Sequence, residues 1–193
     1  VWKRMFVREP VWAGRAVCID LPGHGGSPGP AFDGVVDAAQ WLGRFIETLG
    51  LGPCVLTGHS LGGAVAMQCA SDFPHSACGL VCMSTGAQLP VPEGYMDVLS
   101  RDFAGAVRRS CASAYGASAP DALIRQGCDM LYRNGQETLC RDLHACAGFD
   151  GTAPAASISA PALVLCGSDD ALTPPDLSRD LCGRLARAQL ALV

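Results

Sequence analysis

Ser60 stands between His59 and Leu61 where a short apolar run, Cys54-Val55-Leu56-Thr57, stops at Gly58 and a helix of small residues begins at once. The spacing is G-x-S-x-G, and it gains meaning only from a strand before it and a helix after it. A serine on so sharp a turn has a strained backbone, and its neighbours two residues away must then be free of clashing side chains. Gly58 and Gly62 are expected to meet that demand, while Gly63 and Ala64 let the following helix lie close to the sheet. Such a turn exposes the Ser60 hydroxyl at the sheet's carboxyl edge. It also aims the Leu61 N–H, at the helix N-terminus, toward a developing oxyanion. The chemistry implied is nucleophilic attack on a carbonyl. The plainer alternative, a Gly-rich strand-to-helix turn with an incidental serine, fits the flanking pattern less well.

The elements needed to position Ser60 can be read from periodicity. Val1 to Gly14 reads as a helix remnant or loop, and Arg15-Ala16-Val17-Cys18-Ile19-Asp20 as a short buried strand. A dense turn cluster follows from Asp20 to Pro30. Asp33 can cap a helix carrying Val35, Ala39, Leu42, Ile46 and Leu49, which Gly50 or Gly52 ends. After the Ser60 turn, a helix runs from Leu61 to about Asp72, closed by Phe73-Pro74. Gly79 to Ser84 is another strand. From Gly94 to Phe149 the period is helical, with Met96, Leu99, Phe103 and Val107 on one stripe. Leu123, Met130 and Leu131 mark a second helix, and Leu139, Leu143 and Cys146 a third. Pro161 to Gly167 restores the strand pattern, ending in Ser168-Asp169-Asp170. A last helix starts near Pro175 or Asp176, and Leu190 to Val193 opens a further strand.

This alternation predicts an α/β fold, a parallel sheet flanked by helices. Residues 1–90 form the first part of the core, 91–150 an all-helical cap, and 151–193 the second part. Ligands in such sheets bind at the carboxyl ends of strands. Asp20 to Ser27, Ser60 and Asp169/Asp170 all fall there, so three loops converge on one rim. In the cap, Tyr95, Met96, Leu99, Phe103, Met130 and Tyr132 suggest an apolar pocket, although ordinary core packing explains the same stripe.

Composition narrows the partners. The 193 residues are 49% hydrophobic and 17% charged, with a net charge of −4. That describes a globular chain with no basic field for nucleic acid or an anionic membrane. The partner expected is a small-molecule substrate, with no metal and no organic cofactor, while oligomeric state is not readable. There are 11 cysteines, an odd count without C-x-x-C. Cys18, Cys54, Cys82 and Cys166 in apolar runs, and Cys69 in the helix after Ser60, read as reduced core residues of a cytoplasmic protein.

With these pieces in place, the chain resembles the α/β-hydrolase fold superfamily over essentially its whole length. The resemblance rests on D-L-P-G-H-G-G-S at Asp20 to Ser27, G-H-S-L-G-G at Gly58 to Gly63, and P-A-L-V-L-C-G-S-D-D-A-L-T-P at Pro161 to Pro174. Within the superfamily it looks like the small serine esterase, lipase and C–C-bond hydrolase group with a helical cap. Members with an aspartate nucleophile are disfavoured by Ser60. The resemblance implies Ser60 as nucleophile, Asp170 as the acid that orients a histidine, with Asp169 the second choice, and the Leu61 N–H as an oxyanion donor. The reaction implied is acyl transfer through an acyl-enzyme.

Two parts of the family pattern are absent. The triad order is Ser, Asp, His, yet His24, His59, His75 and His144 all precede Asp170. Asp170 is followed by 23 residues, while a helix, a strand and two loops of ordinary length take about 27. The N-terminal H-G motif that supplies a second oxyanion donor is missing too. The sequence therefore reads as an internal fragment, nearly inactive alone, with a raw sheet edge where the first strands would be. Two other readings share the same residues: a haloperoxidase-like or acyltransferase branch of the fold, and a non-catalytic protein that binds a small ligand in the same pocket.

Overall fold

The computed structural model describes residues 14–115 and 119–193. Four strands, β1 (Cys54–His59), β2 (Ala77–Met83), β3 (Ala162–Cys166) and β4 (Ala188–Leu192), form a parallel sheet in the order β1-β2-β3-β4. Because the strands follow one another across the sheet in chain order, right-handed crossovers set their helices on one face. That face carries Leu56, Leu80, Ala162 and Ala188 in one register row and Gly58, Cys82, Val164 and Leu190 in the next. Against it pack α1 (Val35–Thr48), α2 (Leu61–Asp72), α6 (Thr152–Ser157) and α7 (Pro175–Arg184). The opposite face of β1 presents Val55, Thr57 and His59, all exposed, at an outer edge of the described sheet.

Helix α2 is the centre of the core. Every residue from Gly63 to Ala70 is buried, Met67 and Cys69 completely. Two close approaches set its position. A Cβ on Gly58 would lie 2.0 Å from the Gly62 carbonyl oxygen, and one on Gly63 would lie 2.7 Å from the Thr85 methyl. Gly62, expected to be needed for space, is not: a Cβ there meets nothing within 4 Å among the described residues. The steric demand falls on Gly58 and Gly63.

Helix α1 ends as its glycine suggested. Gly50 takes φ 57°, its N–H donates to the Glu47 carbonyl at 3.1 Å, and the Leu51 N–H donates to Ile46 at 3.1 Å. This is a Schellman motif, with glycine where a left-handed residue is required. The start differs from expectation. The N-cap is Gly34 without a side-chain bond, because Asp33 instead receives Arg141 Nη1 at 2.7 Å.

Between β2 and β3 the regular elements among the described residues are all helices, α3 (Tyr95–Arg101), α4 (Phe103–Ala114), α5 (Asp121–Ala147) and then α6, with one isolated antiparallel bridge between Gln88 and Asp150. The stripe Met96–Leu99–Phe103–Val107 is therefore not one helix. Asp102 leaves helical geometry at φ −142°, and its side chain accepts the Gly105 N–H at 2.8 Å, capping α4. Conversely the second and third expected helices run on into each other, meeting at a kink where Gly135 takes φ 86° and ψ 167°. Phe103 and Tyr132 meet edge to face at 5.8 Å beside buried Val107, Cys111 and Cys128. Leu99 is fully buried, and the Tyr95 hydroxyl bonds the Ser110 hydroxyl. These aromatics are packing, as the plainer reading had it.

Further expectations are corrected. Arg15–Asp20 forms no strand; no described strand pairs with it, so Val17 and Cys18 are exposed rather than buried. A run this short, without a neighbour, cannot satisfy its backbone groups as a strand. Cys54 is only partly buried, at the outer end of β1. Helix α6 was not anticipated, although Asp150, which accepts the Thr152 N–H at 3.0 Å, is a fitting start signal for it. The reading of Val1 to Ala13 lies outside the described residues. All eleven cysteines are free thiols, and burial pushes Cys82 and Cys69 up to about 12. Among the described residues, no helix is long and apolar enough to cross a membrane.

The glycine geometry makes opposite predictions four residues apart. Gly58→Ala drives a Cβ into backbone and is expected to cost more than about 3 kcal/mol. Gly62→Ala, inside a helix and facing open space, is expected to be neutral or to stabilise by up to about 1 kcal/mol. Urea unfolding of both variants beside the wild type reads the difference.

Candidate active site

Ser60 sits between β1 and α2 with φ 52° and ψ −123°, a region essentially reserved for glycine. Such a conformation costs about 1–3 kcal/mol and persists only where its surroundings over-determine it. They do so here. The Ser60 N–H donates to the Met83 carbonyl at 2.9 Å, extending the β1–β2 ladder one step past the strand. The Ser60 carbonyl accepts three bonds, from the N–H of Gly63 (2.8 Å) and of Ala64 (3.2 Å) and from Thr85 Oγ1 (2.9 Å). Leu61 is the first residue of α2, where N–H groups have no helical acceptor. It lines a small cleft with Leu21, His24, Phe32, Val65 and Asp142. The first N–H groups of such a helix carry the positive end of its dipole.

Asp170 lies two strands away, in the loop after β3. Its Oδ1 accepts the N–H of Leu172 (3.0 Å) and of Thr173 (2.8 Å), and Oδ2 accepts the Thr173 hydroxyl at 2.9 Å. Partial burial pushes the carboxyl upward, but the donors, led by the Thr173 N–H, outweigh it and hold Asp170 below the ordinary carboxylate value. Asp169 is exposed and none of these bonds reaches it. The loop thus gives the two adjacent carboxylates different surroundings.

No imidazole is hydrogen-bonded to Ser60 or Asp170 among the described residues. His59 lies on the opposite sheet face from Gly58, away from the cleft, and keeps substantial exposure. The protein mass around it still holds its pKa below 6.5 by desolvation, against the pull of Asp170. His75 is in the short turn after α2, at the far end of the sheet, and His144 is exposed on α5.

His24 is committed elsewhere. Its Nδ1 bonds the Pro22 carbonyl at 3.1 Å and Nε2 bonds Asp142 of α5 at 2.9 Å. Both partners are acceptors, so the ring is best satisfied when doubly protonated, and the Asp142 bond raises its pKa above 6.5. Around it Thr138 Oγ1 donates to the Gly23 carbonyl at 3.3 Å, and Arg141 reaches Asp33. The Asp20 to Ser27 turn is itself tied, with the Gly26 N–H on Asp20 Oδ2 at 3.0 Å and the Ser27 hydroxyl on the Asp20 carbonyl at 2.7 Å. Sequence reading placed this turn on the rim but missed its hitch to α5. Thr85 and Ser84 were also missed, since nothing in a lone Ser-Thr after a strand distinguishes it from a turn.

The alpha/beta hydrolase family profile matches residues 1–193. The chain belongs to this family. It is 28% identical over 189 residues to a pimeloyl-[acyl-carrier protein] methyl ester esterase of Neisseria meningitidis, covering 91% of this chain and 72% of that protein. It is 30% identical over 190 residues to a poly(3-hydroxyalkanoate) depolymerase of Ectopseudomonas oleovorans, covering 92% and 66%. The fold matches a hydrolase from Oleispira antarctica with a TM-score of 0.83 at 17% identity, over 90% of this chain and 70% of that one. The parallel-sheet architecture is that of the family, and the chain is an alpha/beta-hydrolase enzyme of the carboxylic ester hydrolase kind.

The His24–Asp142 pair makes a pH prediction with a definite sign. A histidine whose pKa is raised in the folded state stabilises fully below its unfolded value, near 6.5, and loses that contribution as pH rises through the folded value. Asp142→Asn is therefore expected to destabilise the alpha/beta hydrolase chain more at pH 5.5 than at pH 8.5. Thermal or urea midpoints of both proteins at the two pH values measure it.

Proposed function

We propose that this protein is a serine hydrolase of small ester or related carbonyl substrates. The observation that carries the proposal is the Ser60 backbone, a non-glycine residue held at φ 52° and ψ −123° at the N-terminus of α2. Ser60 Oγ attacks the substrate carbonyl, the Leu61 N–H takes a share of the charge on its oxygen, and the leaving group departs to give an ester on Ser60. Water then attacks that acyl-enzyme, and the serine is regenerated. Asp170, kept ionised by its donors, orients the imidazole that takes the Ser60 proton. That imidazole comes from outside the 193 residues, since all four histidines here are placed or bonded away from Ser60. The helices from Tyr95 to Ala147 act as a cap over the carboxyl edge of the sheet. The substrate is a small molecule, and the protein works in the cytoplasm. No step calls for a metal or an organic cofactor. Relatives whose names are those of an ester esterase and a polyester depolymerase support the ester class.

Hydrolysis of short-chain p-nitrophenyl esters by the full-length protein tests this. Ser60→Ala is expected to lower kcat by at least about 10³-fold, and Asp170→Asn by up to about 10⁴-fold. The 193-residue chain alone is expected to turn over far more slowly than the full-length protein. Turnover that survives Ser60→Ala would sink the proposal, and an inert full-length protein would point to ligand binding in the same cleft.

A further inference from the structure

Both backbone groups of Ser60 are held from the end of β2. The pair His59 and Met83 is the last of the β1–β2 ladder, and one step beyond it the Ser60 N–H donates to the Met83 carbonyl at 2.9 Å. In a continuing parallel ladder the Ser60 carbonyl would then accept the N–H of Thr85, two residues further along the partner strand. Ser60 instead turns away at φ 52° and opens α2, and what reaches its carbonyl is the Thr85 hydroxyl, at 2.9 Å. The other two donors to that oxygen, the N–H groups of Gly63 and Ala64, belong to α2 itself. Among the described residues Thr85 is therefore the one donor that ties the Ser60 carbonyl to the sheet.

The position of Thr85 is fixed on every side. It is fully buried. A Cβ added to Gly63 would lie 2.7 Å from its methyl and 3.1 Å from Oγ1, so the side chain stands directly against α2. Its carbonyl accepts the buried Ser178 Oγ of α7 at 3.4 Å. Ser84 before it takes φ 44° and donates its N–H to the Leu165 carbonyl at 2.8 Å, which sets the direction in which the chain leaves β2.

The Ser60 carbonyl and the Leu61 N–H are opposite ends of one planar trans peptide, so fixing the direction of one fixes the other. Resting on the hydrolase reading above, in which the Leu61 N–H takes a share of the charge on the substrate oxygen, we infer that Thr85 is a positioning residue whose hydroxyl, through the Ser60 carbonyl, orients that N–H for the oxyanion. A bond accepted at the carbonyl of a peptide also polarises the N–H at its other end, so the same contact strengthens the donor. The benefit grows as charge develops on the substrate oxygen, which places it on kcat rather than on ground-state binding.

Two variants separate the hydroxyl from the methyl. Thr85→Val keeps the branched shape against Gly63 and removes the donor, and Thr85→Ser keeps the donor and removes the methyl. In the full-length protein Thr85→Val is expected to lower kcat for p-nitrophenyl butyrate about tenfold with KM unchanged, less than the roughly 10²–10³-fold that loss of a whole oxyanion donor costs. Inhibition by an alkyl trifluoromethyl ketone, whose adduct with a serine carries an oxyanion, is expected to weaken by a similar factor. Thr85→Ser is expected to recover most of both, although the lost methyl contacts lower its melting temperature below that of the wild type. A residue that only packs would instead lose rate in step with stability. If Thr85→Val keeps the wild-type kcat or inhibitor affinity, or if Thr85→Ser falls as far as Thr85→Val, Thr85 does not orient the oxyanion donor. A Ser60→Ala control that still turns over the ester would remove the hydrolase reading instead, and the two failures read out separately.

Discussion

The close approach of α2 to the ends of β1 and β2 is the constraint on which the rest depends. Gly58 lies against the Gly62 carbonyl and Gly63 against Thr85, so the helix starts almost in contact with the strands it follows. That closeness forces the chain to reverse within one residue, and Ser60 takes the strained backbone that results. The strain does not relax, because the backbone groups of Ser60 are engaged by Met83, Gly63, Ala64 and Thr85. The buried interior of α2 then supplies the stability that holds the turn in place. A helix lined with small residues can approach a sheet this closely only if its neighbours are small as well, and the run Gly63-Ala64-Val65-Ala66 meets that condition.

What the sequence showed and what it concealed divide along a physical line. Local patterns survived folding: the G-x-S-x-G turn, the helix from Leu61 to Asp72, the Gly50 stop and the strand before Asp170 were all legible, because each depends on residues near one another in the chain. The misreadings came where tertiary partners decide. Arg15–Asp20 has the composition of a buried strand, but a strand is defined by a neighbour and none of the described strands supplies one. Asp33 has the right chemistry for an N-cap, yet Arg141, 108 residues away, takes its carboxylate. Asp102 falls between Leu99 and Phe103 of an apolar stripe whose spacing is continuous, and its side chain starts a new helix there by capping α4. The site divides in the same way. Ser60 is picked out by its motif, whereas the different surroundings of Asp169 and Asp170 come from the Leu172 and Thr173 donors, which only the folded loop brings round to Asp170.

The turn from Asp20 to Ser27 and helix α5 show how the rim of the sheet is joined to the helical segment above it. The turn holds its own shape through Asp20, with bonds to Gly26 and Ser27, and presents His24 and the Gly23 carbonyl outward. Helix α5 meets it with Asp142 and Thr138, residues four apart and therefore on one side of the helix. The kink at Gly135 lies just before this contact, so the two halves of α5 can point differently while the second half stays bonded to the turn. The cleft at Leu61 is bounded by both partners of the His24–Asp142 pair. The lining of the cleft and the attachment of the helical segment therefore share the His24–Asp142 pair, whose strength falls as His24 loses its proton, while Arg141–Asp33 and Thr138–Gly23 hold the same helix independently of that proton.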